Sequence, residues 1–114
     1  LNNFINISGG RFDIIIDDAS HASHHQQISL GALFPHLNSG GYYIIEDLDW
    51  QPDELEKKES ILTEKLFLSY LDNNSFDSPF LTKDDNKYIS QNIDYCNMFN
   101  KQDRLFKLVI IKKK

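Results

Sequence analysis

The 114-residue sequence predicts an α/β fold: two parallel strands joined by a crossover helix, a second helix, and a terminal antiparallel hairpin. Three observations predict it. Residues 12–17 (Phe-Asp-Ile-Ile-Ile-Asp) and 42–46 (Tyr-Tyr-Ile-Ile-Glu) are short apolar runs, as parallel strands are when helices cover them. The stretch between them has the length that a right-handed crossover requires. Two later strand-like runs flank Asn100-Lys101-Gln102-Asp103, a connection short enough for a hairpin.

The elements follow in order. Residues 1–10 read as the end of a helix with a Gly stop at Gly9-Gly10, and a chain that opens on Leu1 reads as a piece of a longer protein. After the first strand, Asp18-Ala19-Ser20 offers Asp or Ser as N-cap to a helix over 21–37. Ile28, Leu30, Leu33, Phe34 and Leu37 supply its apolar face, and Pro35 ends or kinks it. Asn38 to Gly41 reads as a turn before the second strand. Residues 49–58, with Pro52, form a polar loop on the rim where the strands end. A second helix spans 59–72, with Ile61, Leu62, Leu66, Leu68 and Leu71 near helical spacing. Residues 73–87 are rich in Asn, Asp and Ser and contain Pro79, which predicts a long surface loop. The last strands are expected at 88–98 and 105–111. The whole chain, 1–114, reads as one partial domain.

Composition narrows the class. With 40% hydrophobic and 25% charged residues the chain is ordinary for a globular protein. No apolar segment approaches the ~20 residues of a membrane span, and no signal-peptide pattern opens the sequence. Cys96 is alone, so no internal disulfide can form, which fits a reducing cytoplasm. A net charge of −5 argues against a nucleic-acid partner. Lys112-Lys113-Lys114 reads as a solvated strand end.

The chemistry gathers where the two apolar runs end, at Asp17-Asp18 and Glu46-Asp47. Ligands of open α/β sheets bind beyond the carboxyl ends of the strands, and neighbouring strands lie about 5 Å apart. Clustered acids repel unless a cation neutralises them, and hard oxygen donors of this kind suit Mg²⁺ or Mn²⁺. Consecutive side chains of a strand face opposite sides, so one of Asp17 and Asp18 serves the shared site, and Asp18 is the better placed. Taken alone, Asp18 also fits a helix N-cap. His21, at the helix mouth, could take a proton from a hydroxyl held at the rim, or be an exposed first-turn residue. His24 and His25 dilute that signal. His21 and His25 form an H-x-x-x-H pair, but Ala22 stands where a zinc peptidase needs Glu. His36 suits a helix end. Trp50 and Gln51 offer an aromatic wall or a loop anchor. Tyr88, Tyr95, Phe99 and Phe106 fit strand packing, and Cys96 fits an inert core thiol. Neither Gly9-Gly10 nor Gly40-Gly41 makes a phosphate or dinucleotide loop, and a phospho-receiver pocket fits poorly.

Between Phe12 and Asp47 the motifs I-D-D-A-S-H, A-L-F-P-H-L and G-G-Y-Y-I-I-E-D resemble the class I S-adenosylmethionine-dependent O-methyltransferases of the macrocin and mycinamicin sugar-methylating type. Those enzymes have D-D-G-S-H, L-F-P-H-L, P-G-G and I-E-D; Ala19 and Ser39 depart from them at turn positions. The resemblance implies the C-terminal half of a Rossmann-like methyltransferase fold, roughly strands four to seven. It implies S-adenosylmethionine as cofactor, Mg²⁺ bound by Asp18, Glu46 and Asp47, and His21 as general base. It assigns no cofactor-binding residue here, because the glycine-rich loop and the ribose-gripping acid lie on earlier strands. The expected parent is a metal-dependent O-methyltransferase acting on a sugar or glycosylated-metabolite hydroxyl, with the 114 residues inactive alone. The alternative is a non-catalytic remnant or binding module. In either case the first strand lacks the strand that it would pair with in the family, so Ile14-Ile15-Ile16 is expected to form an open sheet edge that invites self-association.

Overall fold

The computed structural model describes residues 11–48, 51, 61–100 and 106–114. Expectations for Gly9-Gly10, Trp50, Pro52 and the hairpin tip, and for the side chain of Phe106, lie outside the described residues. Four strands form one sheet: β1 (Phe12–Asp17), β2 (Leu37–Ile45), β3 (Ile93–Asn100) and β4 (Phe106–Lys113), in the order β1-β2-β4-β3. β1 and β2 run parallel, while β4 runs antiparallel to both β2 and β3. This is the parallel pair and terminal hairpin that the sequence predicts.

Helix α1 (Ser23–Leu33) makes the crossover. It begins later than predicted, because Asp18 and Ser20 do not cap it: the N-cap is Ala22, without a side-chain hydrogen bond. Ser20 Oγ instead accepts the Ala22 N–H at 3.4 Å and shares a 2.6 Å hydrogen bond with His25 Nδ1. The α-helix stops at Leu33, and Pro35 lies in a 3₁₀ turn, Phe34–His36. Leu30, Phe34 and Leu37 are buried, whereas Ile28 is exposed, so the apolar face is narrower than expected.

The expected turn at 38–41 is built into β2 as a bulge. Phe12 pairs with Leu37 and Ile14 with Tyr42, so two steps along β1 span five along β2. Gly40 has φ +79°, and a Cβ on Gly41 would lie 2.7 Å from the Asp13 carbonyl oxygen. Asn38 Nδ2 donates to Asp13 Oδ1 at 2.8 Å across the same bulge.

Helix α2 (Thr63–Asn73) buries Leu66, Phe67 and Tyr70 and ends on Asn74 in the left-handed region. Leu68 and Leu71, expected on its inner face, point to solvent. Helix α3 (Lys83–Asn92) replaces the second half of the predicted loop and the start of the predicted third strand. Thr82 Oγ1 accepts the Asp85 N–H at 3.1 Å and caps it.

The core lies between the three helices and one face of the sheet: Tyr43, Ile45, Ile93, Cys96, Val109 and Ile111 meet Leu30, Phe34, Phe67 and Ile89. Burial pushes the Cys96 thiol up to about 11, as an inert core thiol requires. Ile14, Ile16, Tyr95 and Phe99 lie exposed on the outer strands. The terminal lysines are not a solvated end. Lys113 is buried, and its ammonium donates to the carbonyls of Phe34, Pro35 and Leu37 at 3.2, 3.4 and 2.8 Å. Lys112 pairs with Asp94 at 3.3 Å. Among the described residues, no helix is long and apolar enough to cross a membrane.

Candidate metal centre

The parallel β1–β2 pair ends its strands at one rim. Asp17 lies opposite Ile45, and the Glu46 N–H donates to the Asp17 carbonyl at 2.9 Å, so the two acidic pairs leave the sheet side by side. The segment from Asp18 to Ala22 then turns into α1, while Glu46-Asp47 turns away from β2.

Asp18, His21 and Asp47 converge there, with one donor atom from each within 4.8 Å of the others. His21 Nε2 lies 3.5 Å from Asp47 Oδ2 and 3.9 Å from Asp18 Oδ1. The imidazole is the most enclosed of the three: its side chain is 19% exposed, against 34% for Asp47 and 56% for Asp18. His21 and Asp47 both have left-handed backbone, with φ of +64° and +56°. That region costs an L-residue of order 1–3 kcal/mol, though Asp and His tolerate it better than most. These turns reverse the chain within a few residues, which brings three polar side chains to one point.

The donors fit a divalent cation. Two ligands of one Mg²⁺ ion at ~2.1 Å can be at most about 4.2 Å apart. The widest separation therefore needs only a small closure, within reach of the exposed Asp18. The two carboxylates supply the hard oxygen that suits Mg²⁺ or Mn²⁺, and the His21 imidazole stands beside them.

Asp17 does not join this group. Its carboxylate accepts the Ala19 N–H at 3.3 Å, and burial raises its pKa, against the lowering effects of that bond and of His21 and His25. Glu46 stands at the same rim without contributing its carboxylate to the cluster; its backbone carbonyl accepts a bond from Gln26 Nε2 at 3.4 Å. His24 is buried with its ring 4.1 Å from that of His25 and 5.8 Å from Phe80, away from the cluster. Gln51 donates to the Leu48 carbonyl at 2.7 Å.

A cavity of about 400 Å³ adjoins the cluster through Asp18 and runs between β1 and α1, where Asp17, Ser29, Leu33 and Tyr43 line it. The Tyr43 hydroxyl is buried with no hydrogen-bond partner among the described residues, and burial and the Asp17 charge push its pKa upward. Sequence reasoning missed the amides behind the rim. Gln27 Nε2 donates to the Ile61 carbonyl at 2.7 Å, and its Oε1 accepts from Ser78 Oγ at 2.6 Å. Thr63 Oγ1 donates to the Ser23 carbonyl at 3.3 Å. Together they tie the start of α1 to α2 and to the loop before α3.

The order β1-β2-β4-β3, with three helices on one face and acids at the rim, is a mixed α/β arrangement that matches part of a methyltransferase fold. Comparison with solved structures bears this out. The chain is similar to MycE, a methyltransferase of the mycinamycin biosynthetic pathway solved in complex with Mg, SAH and mycinamycin VI. The TM-score is 0.63 at 28% identity, over 90% of this chain and 25% of that one. No family model matches. Among curated proteins, demethylmacrocin O-methyltransferase of Streptomyces fradiae is 59% identical over 39 residues, 34% of this chain and 10% of its own length. Mycinamicin VI 2''-O-methyltransferase of Micromonospora griseorubida is 56% identical over 39 residues, with the same coverage of each chain. L-olivosyl-oleandolide 3-O-methyltransferase of Streptomyces antibioticus is 55% identical over 38 residues, 33% of this chain and 10% of its own. The match thus covers a tenth of each curated relative.

Proposed function

We propose that this chain is the C-terminal part of an S-adenosylmethionine-dependent O-methyltransferase that uses Mg²⁺ or Mn²⁺ and methylates a hydroxyl of a sugar or glycosylated metabolite. The observation that carries the reading is the meeting of Asp18, His21 and Asp47 at the strand-end rim. The Mg and SAH bound by MycE, and the sugar acceptors named for the curated relatives, support the cofactor and substrate class.

Asp18 and Asp47 would hold the cation, with Glu46 beside them as the third acid. A bound divalent cation supplies Lewis acidity that lowers the pKa of an acceptor hydroxyl. His21 takes the hydroxyl proton at Nε2, and the two carboxylates 3.5 and 3.9 Å away stabilise the imidazolium that results. The left-handed turns at His21 and Asp47 fix both groups before a substrate arrives, so little reorganisation remains for the reaction step. The residues that bind S-adenosylmethionine are not assigned, and the 114 residues alone are inactive in this reading. A cytoplasmic location and a small-molecule acceptor, with neither nucleic acid nor membrane as partner, belong to the same reading.

Calorimetric titration with Mg²⁺ and Mn²⁺ tests it. Binding should weaken in Asp47→Asn, and a parallel loss in Glu46→Gln would make Glu46 a ligand. Unchanged affinity in Asp47→Asn removes the site.

A further inference from the structure

We infer that Gln26 is a positioning residue that sets the Glu46–Asp47 turn and thereby aims the Asp47 carboxylate; the inference rests on the cation-site reading above. Gln26 lies on the first turn of α1, is 1% exposed, and donates from Nε2 to the Glu46 carbonyl at 3.4 Å. The Glu46 N–H is held from the other side by the Asp17 carbonyl at 2.9 Å. Residue 46 is therefore gripped at both its backbone polar groups, one by β1 and one by α1.

The consequence falls on residue 47. The Glu46 carbonyl shares a rigid peptide plane with the Asp47 N–H, and φ of Asp47 is the rotation about the bond leaving that plane. Anchoring the carbonyl fixes the plane from which Asp47 turns at φ +56°. Without the anchor, relaxation toward negative φ is opposed mainly by the half-exposed Asp47–His21 pair and the Gln51 bond to the Leu48 carbonyl, and it would swing the carboxylate away from His21 and Asp18.

Gln26 is also a poor choice for stability alone. Its Oε1 is buried with no partner among the described residues, so half of the amide is desolvated without return. Leu or Met would fill similar volume with no such loss. The amide makes sense for what its donor holds. Its test must separate geometry from stability, because a purely structural Gln26 would move both together.

Gln26→Met keeps the volume and removes the donor; Gln26→Asn keeps polarity but is too short to reach, and serves if the Met variant does not fold. The readouts are affinity for Mn²⁺ alone, the thermal midpoint, and the Asp47 Cα and Cβ chemical shifts in the metal-free protein. We expect Mn²⁺ affinity to fall ~10-fold or more, as for other residues that orient metal ligands, with an undiminished midpoint and displaced Asp47 shifts. Unchanged Mn²⁺ affinity with unmoved Asp47 shifts would overturn the inference, as would affinity and midpoint falling together in both variants. If the wild-type protein takes up no Mn²⁺, the cation reading fails on its own. The Asp47 shifts then decide the role of Gln26: displaced shifts uphold it, and unmoved shifts overturn it.

Discussion

Replacing Lys113 with Met tests how the sheet is joined to the crossover. Lys113 is 6% exposed, and its ammonium donates to three carbonyls around the 3₁₀ turn, at 2.8, 3.2 and 3.4 Å. It also lies 5.4 Å from the ring centroid of Phe34 and 5.3 Å from that of Tyr88. The two shorter bonds are charge-assisted and worth ~1.5–3 kcal/mol each, and each ring adds ~0.5–1 kcal/mol. Dehydrating the ammonium costs several kcal/mol, so the intact arrangement gains little over an apolar one designed from the start. Removing the charge alone is different. Met refills the apolar volume but leaves the carbonyls buried without their donor, at ~1–3 kcal/mol for each one stranded. We expect Lys113→Met to lose ~2–4 kcal/mol, a large share of the 5–15 kcal/mol typical of a whole domain. Urea denaturation followed by circular dichroism measures it, as a lower midpoint with unchanged slope. Lys112→Met is the control: its pair with the half-exposed Asp94 is worth under ~1 kcal/mol. Stability of Lys113→Met within ~0.5 kcal/mol of wild type would refute the argument that the ammonium clamps these carbonyls.

Three further outcomes are expected. Burial raises the pKa of Asp17, so its charge opposes folding above the unfolded value of about 3.8; Asp17→Asn should therefore stabilise the protein at pH 7, with the advantage fading as the pH drops toward that value, and an equal gain at pH 3 would exclude this cause. Ile16 is 58% exposed on the edge strand β1, so light scattering should find self-association that Ile16→Lys reduces, and a wild-type monomer at high concentration would end that idea. In the complete enzyme His21→Ala should lower turnover ~10²-fold or more while cofactor affinity holds, whereas His24→Ala and His25→Ala should have small effects; near-normal turnover of the His21 variant rejects it as the base.

Much of the sheet was legible because burial leaves a periodic trace. Phe12–Asp17 was read to the residue, and the parallel pair with its crossover followed from the length between two apolar runs. Helix α3 was not read, because it buries only Asn86 and Ile89 and most of its residues are polar. A cap signal was present in Thr82 with Asp84 and Asp85 in the first turn, but Asn and Ser upstream read as continuous loop. Periodicity also failed for α2, where Leu68 and Leu71 sit one position off the face that Leu66, Phe67 and Tyr70 bury. Lys113, Gln26 and Gln27 were illegible for a common reason. A buried polar side chain is stabilised by partners far away in sequence, so its own letter reads as a surface residue.

The site divides along the same line. That Asp18 and Asp47 reach one rim was legible, since two strands that end side by side in a parallel pair bring their terminal residues together, but Glu46, expected with them, keeps its carboxylate out of the cluster. How they meet was not, because it depends on two left-handed residues, His21 and Asp47, and no local pattern announces that backbone for a His or an Asp. The Gly that the resembled enzymes carry at position 19 would have pointed to a strained turn there, and Ala19 hides it. Strain of this kind persists only where surrounding structure over-determines it. Here the surroundings are identifiable: Asp17 and Gln26 hold residue 46, and Ser20 with the Gln27 network holds the segment that follows His21. The amides that sequence reasoning passed over are thus the groups that hold in place the acids it found.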